Sequence, residues 1–352
     1  MSAVFESVAP ATNSEERITF SATGSEYFRI WIVNLLLSIV TLGIYSAWAK
    51  VKRNQYFYGS TQLAGSSFEY HGNPVAILKG RIAALVLFGG YQLAFQYSLA
   101  AGIVMLVVFL AAMPWMIWKS LQFGLYNSSY RGIRFGFGGS LKDAYFHYLL
   151  LPVVSVFALG LMYPFLHHRI KRFQHTESRY GRTPFSFDAT VGAFYKAYFG
   201  MFLLLVLGGG LITVAAIVLG KMLQPTMGHM SAAIGKGAGL TLVYVYLFCL
   251  MYAFMAMIQN LIWNHTQLGP HRFRSTMKGP RLAWLYVSNT LGIILTLGLF
   301  IPFAHVRALK YRLESTALIV SGSLDDVVAG SQGDVGAVGD GMADLAGFDL
   351  AL

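Results

Sequence analysis

The sequence predicts an all-α polytopic membrane protein: three internal repeats of a broken helical hairpin around two transmembrane helix pairs, with small cytoplasmic β-hairpins. Three observations predict it. Apolar residues make up 56% of the chain and charged residues 12%, about half the charge of an average soluble domain, and the mean hydropathy is +0.56. A Leu-Gly turn sequence recurs three times with matched flanks. The basic residues, finally, fall on one side of the bilayer once the chain is allowed to turn back at those glycines.

Residues 1–25 read as a cytoplasmic N-terminal segment. Glu6, Glu15 and Glu16 stand where a cleavable signal would place cations ahead of an apolar stretch, so the first membrane segment is expected to act as its own insertion signal. Residues 26–323 read as a single membrane domain, with repeats at about 26–70, 143–188 and 281–323 and spanning pairs at about 80–118 and 193–263. The apolar windows Ile82–Ala94, Leu99–Trp118, Phe199–Leu219 and Leu240–Trp263 are the clearest, against the roughly 17–25 helical residues that cross a hydrocarbon layer. Residues 324–352 form an acidic, Gly-rich tail, expected to stay solvated or to dock on the basic cytoplasmic layer. The single cysteine, Cys249, rules out a disulfide framework and reads as a core residue.

Internal repeats organise the chain. Thr41-Leu42-Gly43 recurs as Ala158-Leu159-Gly160 and Thr296-Leu297-Gly298. Aligned on the glycine, the chain carries Ala47, Pro164 and Pro302 four residues on, Lys50, His167 and His305 seven on, Lys52, Arg169 and Arg307 nine on, and Tyr56, Phe173 and Tyr311 thirteen on. Gly43, Gly160 and Gly298, with Pro164 and Pro302 in two copies, are what a break inside a membrane helix calls for. A second, turn-rich element also recurs: Ser60-Thr61 to Gly65 and Phe68, Ser128-Ser129 to Gly132 and Phe135, Thr176 to Gly181 and Phe185, Thr266 to Gly269 and Phe273. Polar residues, a glycine and then aromatics read as β-hairpins, expected to share one aqueous face.

Charge chooses between two topologies. From Tyr27 to Val320 there are 25 Lys and Arg against five acids, a balance of +20. If each Leu-Gly segment crossed once, Arg169, Lys171, Arg172, Arg179, Arg182, Lys196, Arg272, Arg274, Lys278 and Arg281 would all face outward. If each turns back, only Lys221 and Lys236 do. The positive-inside rule selects the second, and the six tryptophans then sit near the cytoplasmic interface. Ten membrane-embedded segments follow, with both termini cytoplasmic.

The strings Glu26-Tyr27-Phe28-Arg29-Ile30-Trp31, Thr41-Leu42-Gly43-Ile44-Tyr45-Ser46-Ala47-Trp48-Ala49-Lys50-Val51-Lys52, Leu78-Lys79-Gly80-Arg81, Asn127-Ser128-Ser129-Tyr130-Arg131-Gly132 and the closing Gly347-Phe348-Asp349-Leu350 resemble the YjgN family of bacterial inner-membrane proteins, a domain of unknown function. The likeness covers nearly the whole chain. Ala47 departs from the proline of the other two copies, so a proline there is not essential to the first. The resemblance implies a multi-pass inner-membrane protein and adds no activity.

No zinc-protease, nucleophile-elbow, phosphate-loop or dinucleotide-binding string is present, so no catalytic residue, cofactor or metal site is expected, and the chain is read as a non-enzyme. The cations of the second arms have two readings. They snorkel to lipid phosphates and set the depth of the arm, or Lys50 with Lys52, His167 with Arg169, and His305 with Arg307 face a shared vestibule that attracts an anion or lipid head group. Asn34 and Asn289, which match across copies, read as interhelical hydrogen-bonding groups or as pore lining. Glu26 and Asp143 read as acids at helix N-termini or as coupling-ion ligands. A transporter or channel-like protein for a small anionic or amphipathic, lipid-like solute is the first expectation, and a non-transporting envelope scaffold the second. The implied partners are membrane lipids, anionic phospholipid at the cytoplasmic face. Nucleic acid is not expected, since the cations form no continuous groove, and a homo-oligomer is the alternative to a monomer.

Overall fold

The computed structural model of the chain describes residues 14–322, so the tail at 324–352 lies outside the described residues, as does the first part of the N-terminal segment. Among the described residues eleven short strands and eleven α-helices follow a fixed rhythm: the chain leaves the strand layer as a helix, turns, and returns to it as a second helix.

Five excursions result. Three are short: α1 (Gly24–Val40) with α2 (Ser46–Gly59), α5 (Leu141–Tyr145) running through a π-helical turn at Phe146–Leu150 into α6 (Leu151–Phe157) and back as α7 (Tyr163–Thr176), and α10 (Gly279–Leu295) with α11 (Ile301–Glu314). Two are long: α3 (Pro74–Tyr97) with α4 (Leu99–Tyr126), and α8 (Val191–Met227) with α9 (Met230–Asn264). These four long helices are extended and apolar enough to cross a membrane. None of the most apolar window of α8 is buried within the protein, which suits a helix facing lipid.

The short excursions turn in the same way three times. Gly43 N–H donates to Ser38 O (2.7 Å) and Leu42 N–H to Ile39 O (3.1 Å), with counterparts from Gly160 to Ser155 and Leu159 to Val156, and from Gly298 to Ile293 and Leu297 to Ile294. This paired pattern is a Schellman cap, in which the first residue past the helix is usually a left-handed glycine. Here that place is held by Leu42, Leu159 and Leu297 at φ 49°, 50° and 51°, and the glycine follows at φ 88°, 78° and 94°. The three leucines are 95%, 91% and 95% exposed, so their side chains stand clear of the protein at the hairpin tips.

Four of the five outgoing helices start on polar caps: Thr23, Asn73, Ser140 and Thr190 each accept from a backbone N–H in the first turn, which satisfies an otherwise orphaned donor. The returning helices end on a hydroxyl. Thr61, Ser128, Ser178, Thr266 and Thr316 open the following strands and donate to the carbonyl four residues back, at 2.7–3.3 Å. Glu26 and Asp143 lie in first turns, where Glu26 accepts from the Tyr56 hydroxyl (2.9 Å) and Asp143 from Ser140 (2.6 Å).

The strands are β1 (Ser14–Arg17), β2 (Thr19–Phe20), β3 (Thr61–Leu63), β4 (Ser66–Tyr70), β5 (Ser128–Tyr130), β6 (Ile133–Phe137), β7 (Ser178–Tyr180), β8 (Thr183–Phe187), β9 (Thr266–Leu268), β10 (His271–Ser275) and β11 (Thr316–Val320). They form a single antiparallel sheet in the order β1-β11-β10-β9-β8-β7-β6-β5-β4-β3-β2. β1 and β2 are two halves of one segment parted by Ile18, and they pair with β11 and β3, so the sheet comes round nearly to a closed ring. Consecutive helices are neighbours, and α1 touches α11, so the helices ring the same axis.

The all-α expectation is therefore corrected. The turn-rich sequences do form four hairpins, β3–β4, β5–β6, β7–β8 and β9–β10, but they are not separate small units. An isolated two-stranded hairpin is marginal in water and leaves edges unpaired. Here β4 pairs β5, β6 pairs β7 and β8 pairs β9, and the outlying segments 14–20 and 316–320 complete the ring. Two-residue turns suit these tight pairs: Ala64-Gly65 and Arg131-Gly132 both take positive φ, whereas only the glycine does in Gly181-Arg182 and Gly269-Pro270, the distinction between type I′ and type II′ hairpins.

Candidate functional site

Alternation along a strand sends every second side chain to one face, and in this ring one face looks inward. Leu63, Phe68, Tyr130, Phe135, Tyr180, Phe185, Leu268, Phe273 and Leu318, with Ile18 between β1 and β2, meet there in one apolar cluster. The four phenylalanines, one per hairpin, stack in sequence: Phe68 on Phe135 (6.4 Å between centroids), Phe135 on Phe185 (6.5 Å) and Phe185 on Phe273 (6.1 Å). The two tyrosines are tied into the ring by their hydroxyls, Tyr130 donating to Leu63 O (2.6 Å) and Tyr180 to Tyr130 O (2.8 Å). Burial raises the pKa of both phenols. For Tyr180 the neighbouring Tyr130 adds to the rise, and for Tyr130 the adjacent Arg131 opposes it.

This layer is the floor of a cavity of about 380 Å³ whose walls come from the helices: Arg53, Asn54 and Phe57 of α2, Gln259 and Trp263 of α9, Tyr286 of α10, and His305, Leu309 and Arg312 of α11. Two guanidinium groups and an imidazole line it, and among the described residues no acidic side chain does. Arg312 Nε donates to Gln259 Oε1 at 3.2 Å, which steadies the guanidinium on the wall. The compartment is thus basic at its sides and aromatic at its base.

Of the residues singled out from the sequence, His305 lines this cavity. The other candidate side chains do not line it. Lys50 is buried on α2, and the Lys52 ammonium lies over the Tyr45 ring (5.7 Å). His167 Nδ1 meets the Tyr198 hydroxyl at 2.8 Å, and Arg169 stacks over Phe165 with its Nε buried and unbonded. Arg307 donates to Asn289 Oδ1 (2.7 Å) and to the Ser288 hydroxyl (3.1 Å), while Asn289 Nδ2 donates to Ala304 O (3.2 Å), a brace across the third hairpin. Asn34 is buried in α1. Pro164 and Pro302 occupy the first turns of α7 and α11, where a missing N–H costs nothing, and Gly43, Gly160 and Gly298 lie in the turns described above. Among the described residues no three His, Cys, Asp or Glu gather as a metal site would need.

Sequence reading missed Arg53, Arg312, Gln259 and Trp263, which carry no motif. Phe68, Phe135, Phe185 and Phe273 stand out in the sequence as hairpin landmarks, and Tyr130 within a family-like string, but their pairing with Leu63, Tyr130, Tyr180 and Leu268 was not read from it. The constant spacing of five across a two-residue turn was the available signal, since it puts both members on one face of the hairpin.

Fold and site together define a mostly helical protein with four candidate membrane spans among the described residues, whose helices and strands line a basic cavity. The family described as "Bacterial protein of unknown function (DUF898)" matches residues 15–345, and the chain belongs to it. It is similar to the inner membrane protein YjgN of Salmonella typhimurium, 30% identical over 159 residues that cover 44% of this chain and 40% of that protein. It is likewise similar to the inner membrane protein YjgN of Escherichia coli O157:H7, 30% identical over 150 residues, 41% of this chain and 36% of the relative. The aligned stretch thus spans well under half of either relative. No solved structure matches the chain.

Proposed function

We propose that this chain is a transporter or channel-like inner-membrane protein that takes a small anionic or amphipathic solute into the central cavity. The observation that carries the reading is the cavity itself, lined by Arg53, Arg312 and His305 with no acid. A unit charge about 4 Å from a guanidinium in a partly buried site interacts by roughly 4 kcal/mol, so two such groups in the cavity wall favour an anion.

Placement in the bilayer supports it. Every helical excursion begins and ends at the strand ring, so a pair of spans in α3–α4 or α8–α9 leaves all strands on one side, and the cations beside the strands make that side cytoplasmic. The three short excursions are then re-entrant copies of one unit, with Leu42, Leu159 and Leu297 reaching into hydrocarbon at their tips. A leucine in the left-handed region costs roughly 1–2 kcal/mol, and transfer of its side chain into lipid offsets that cost. Anionic phospholipids neutralise the exposed basic face, and the chain supplies binding and passage without chemistry of its own.

The packed aromatic floor favours one alternative, a non-transporting envelope scaffold. Reconstitution separates them: vesicles containing the full chain should accumulate or release small organic anions, and vesicles that neither pass nor bind any of them would leave the scaffold standing.

A further inference from the structure

The inference that follows rests on the cavity being a solute compartment and concerns what fits in it. The charged groups of the cavity are on its helical walls, and the strand ring beneath presents mainly aromatic and aliphatic side chains, with the Tyr130 and Tyr180 hydroxyls spent on backbone carbonyls. A ligand meeting both must therefore carry its charge at one end. Two guanidinium groups with an imidazole and no carboxylate suit a dianion better than a monoanion, and the planar fork of arginine matches the oxygens of a phosphate. At about 380 Å³ the space lies at the small end of ligand pockets, which run roughly 300–1,000 Å³, enough for one head and one compact apolar group.

We propose that the cavity binds a phosphate monoester of a single apolar group, with the phosphate on Arg312 and Arg53 and the apolar end against the Phe68–Phe135–Phe185–Phe273 floor. Phosphate is held by charge-assisted hydrogen bonds from the two guanidiniums, and Gln259 fixes the fork of Arg312 from the wall side. The apolar group replaces water over the stacked rings, which is favourable in proportion to the area covered. The same chemistry occurs in a lysolipid-like phosphate drawn from the membrane and in a soluble phosphorylated metabolite, and chain length tells them apart.

Trp263 lines the cavity beside Phe273 (5.0 Å between centroids) and reports occupancy directly. The full chain is placed in nanodiscs and titrated with hexyl phosphate, dodecyl phosphate, inorganic phosphate, hexanol and hexylammonium, with Trp263→Phe identifying the cavity's share of the emission. Hexyl phosphate should change that emission saturably. Inorganic phosphate should bind at least tenfold more weakly, and hexanol and hexylammonium should not compete. Arg312→Gln and, separately, Arg53→Gln should each weaken hexyl phosphate at least tenfold while melting within a few degrees of the parent, and Arg312→Lys should fall between. A tighter dodecyl ester assigns the membrane source, and a tighter hexyl ester the soluble one. Equal binding of hexanol or hexylammonium, or unchanged affinity in both arginine variants, overturns the proposal. Binding without flux in vesicles keeps it and removes transport, whereas flux of an anion that hexyl phosphate does not block keeps transport and removes it.

Discussion

Phe135 sits in the middle of the inward layer, 6% exposed, stacked between Phe68 and Phe185 and 5.0 Å from Tyr180. If the short strands are held in a ring chiefly by this shared apolar core, shortening Phe135 to alanine removes one unit of it. A buried Phe→Ala change costs about 3–5 kcal/mol. The cavity above lets Phe68 and Phe185 relax toward the gap, so the lower value, about 3 kcal/mol, applies. In a chain of this size each kcal/mol moves the melting temperature by about 2 °C, and the variant should melt about 6 °C below the parent. Phe135→Leu keeps most of the volume and should cost about 1.5 kcal/mol, or about 3 °C. The assay is thermal unfolding in detergent followed by near-ultraviolet circular dichroism, which reads the packed aromatic rings, with Trp263 emission in parallel. An Ala variant that is folded and melts within 1 °C of the parent refutes the idea that the layer holds the ring, because the strand ladders alone would then carry it.

Burial holds the Tyr130 and Tyr180 phenols above their ordinary 10.0, so the folded chain keeps protons that the unfolded chain releases. Their stabilising contribution is complete below about pH 10 and is lost as pH climbs through the raised folded values. Melting temperature should fall across that range and less steeply in Tyr130→Phe/Tyr180→Phe, and identical slopes would sink the assignment. Gly43→Ala meets no neighbouring atom and is opposed only by φ +88°, so it should cost about 1 kcal/mol. Gly59→Ala, on an open helical site, should be neutral or stabilising, and equal effects of the two would contradict the turn geometry. Asn289→Leu removes the acceptor for Arg307 and the donor to Ala304, and should lower stability by about 1–2 kcal/mol. Arg307→Gln in that background should add little, and full additivity would show that the two are not coupled. Cysteines replacing Arg53 and Arg179 in a Cys249→Ser background should react with an impermeant thiol reagent only from the cytoplasmic side, whereas labelling in opposite compartments ends the proposed topology.

How much could be read from the chain alone depends on distance along it. Helices, caps and two-residue turns are set by neighbours within a few positions, and the apolar runs in α3, α4, α8 and α9, the Ala64-Gly65 and Arg131-Gly132 turns and the family likeness are all legible in order. The Leu-Gly sequences are equally local, and their lone departure from habit is a leucine in the left-handed place. The ring is of another kind. Strands of two to five residues have almost no propensity signal of their own, and Phe68 meets Tyr130, or Glu15 meets Ile319, only after long helical excursions have returned both ends to one place. The cavity depends on that closure, so Arg53, Arg312 and Trp263 became a site only in three dimensions, while Lys52, Arg169 and Arg307, aligned in sequence, went each to its own hairpin. Sequence alone determined the segments and their turns, because those are written in local pattern and composition. Which faces came together round one axis was decided by tertiary structure, because strand pairing and the inward aromatic layer join residues that the chain keeps far apart.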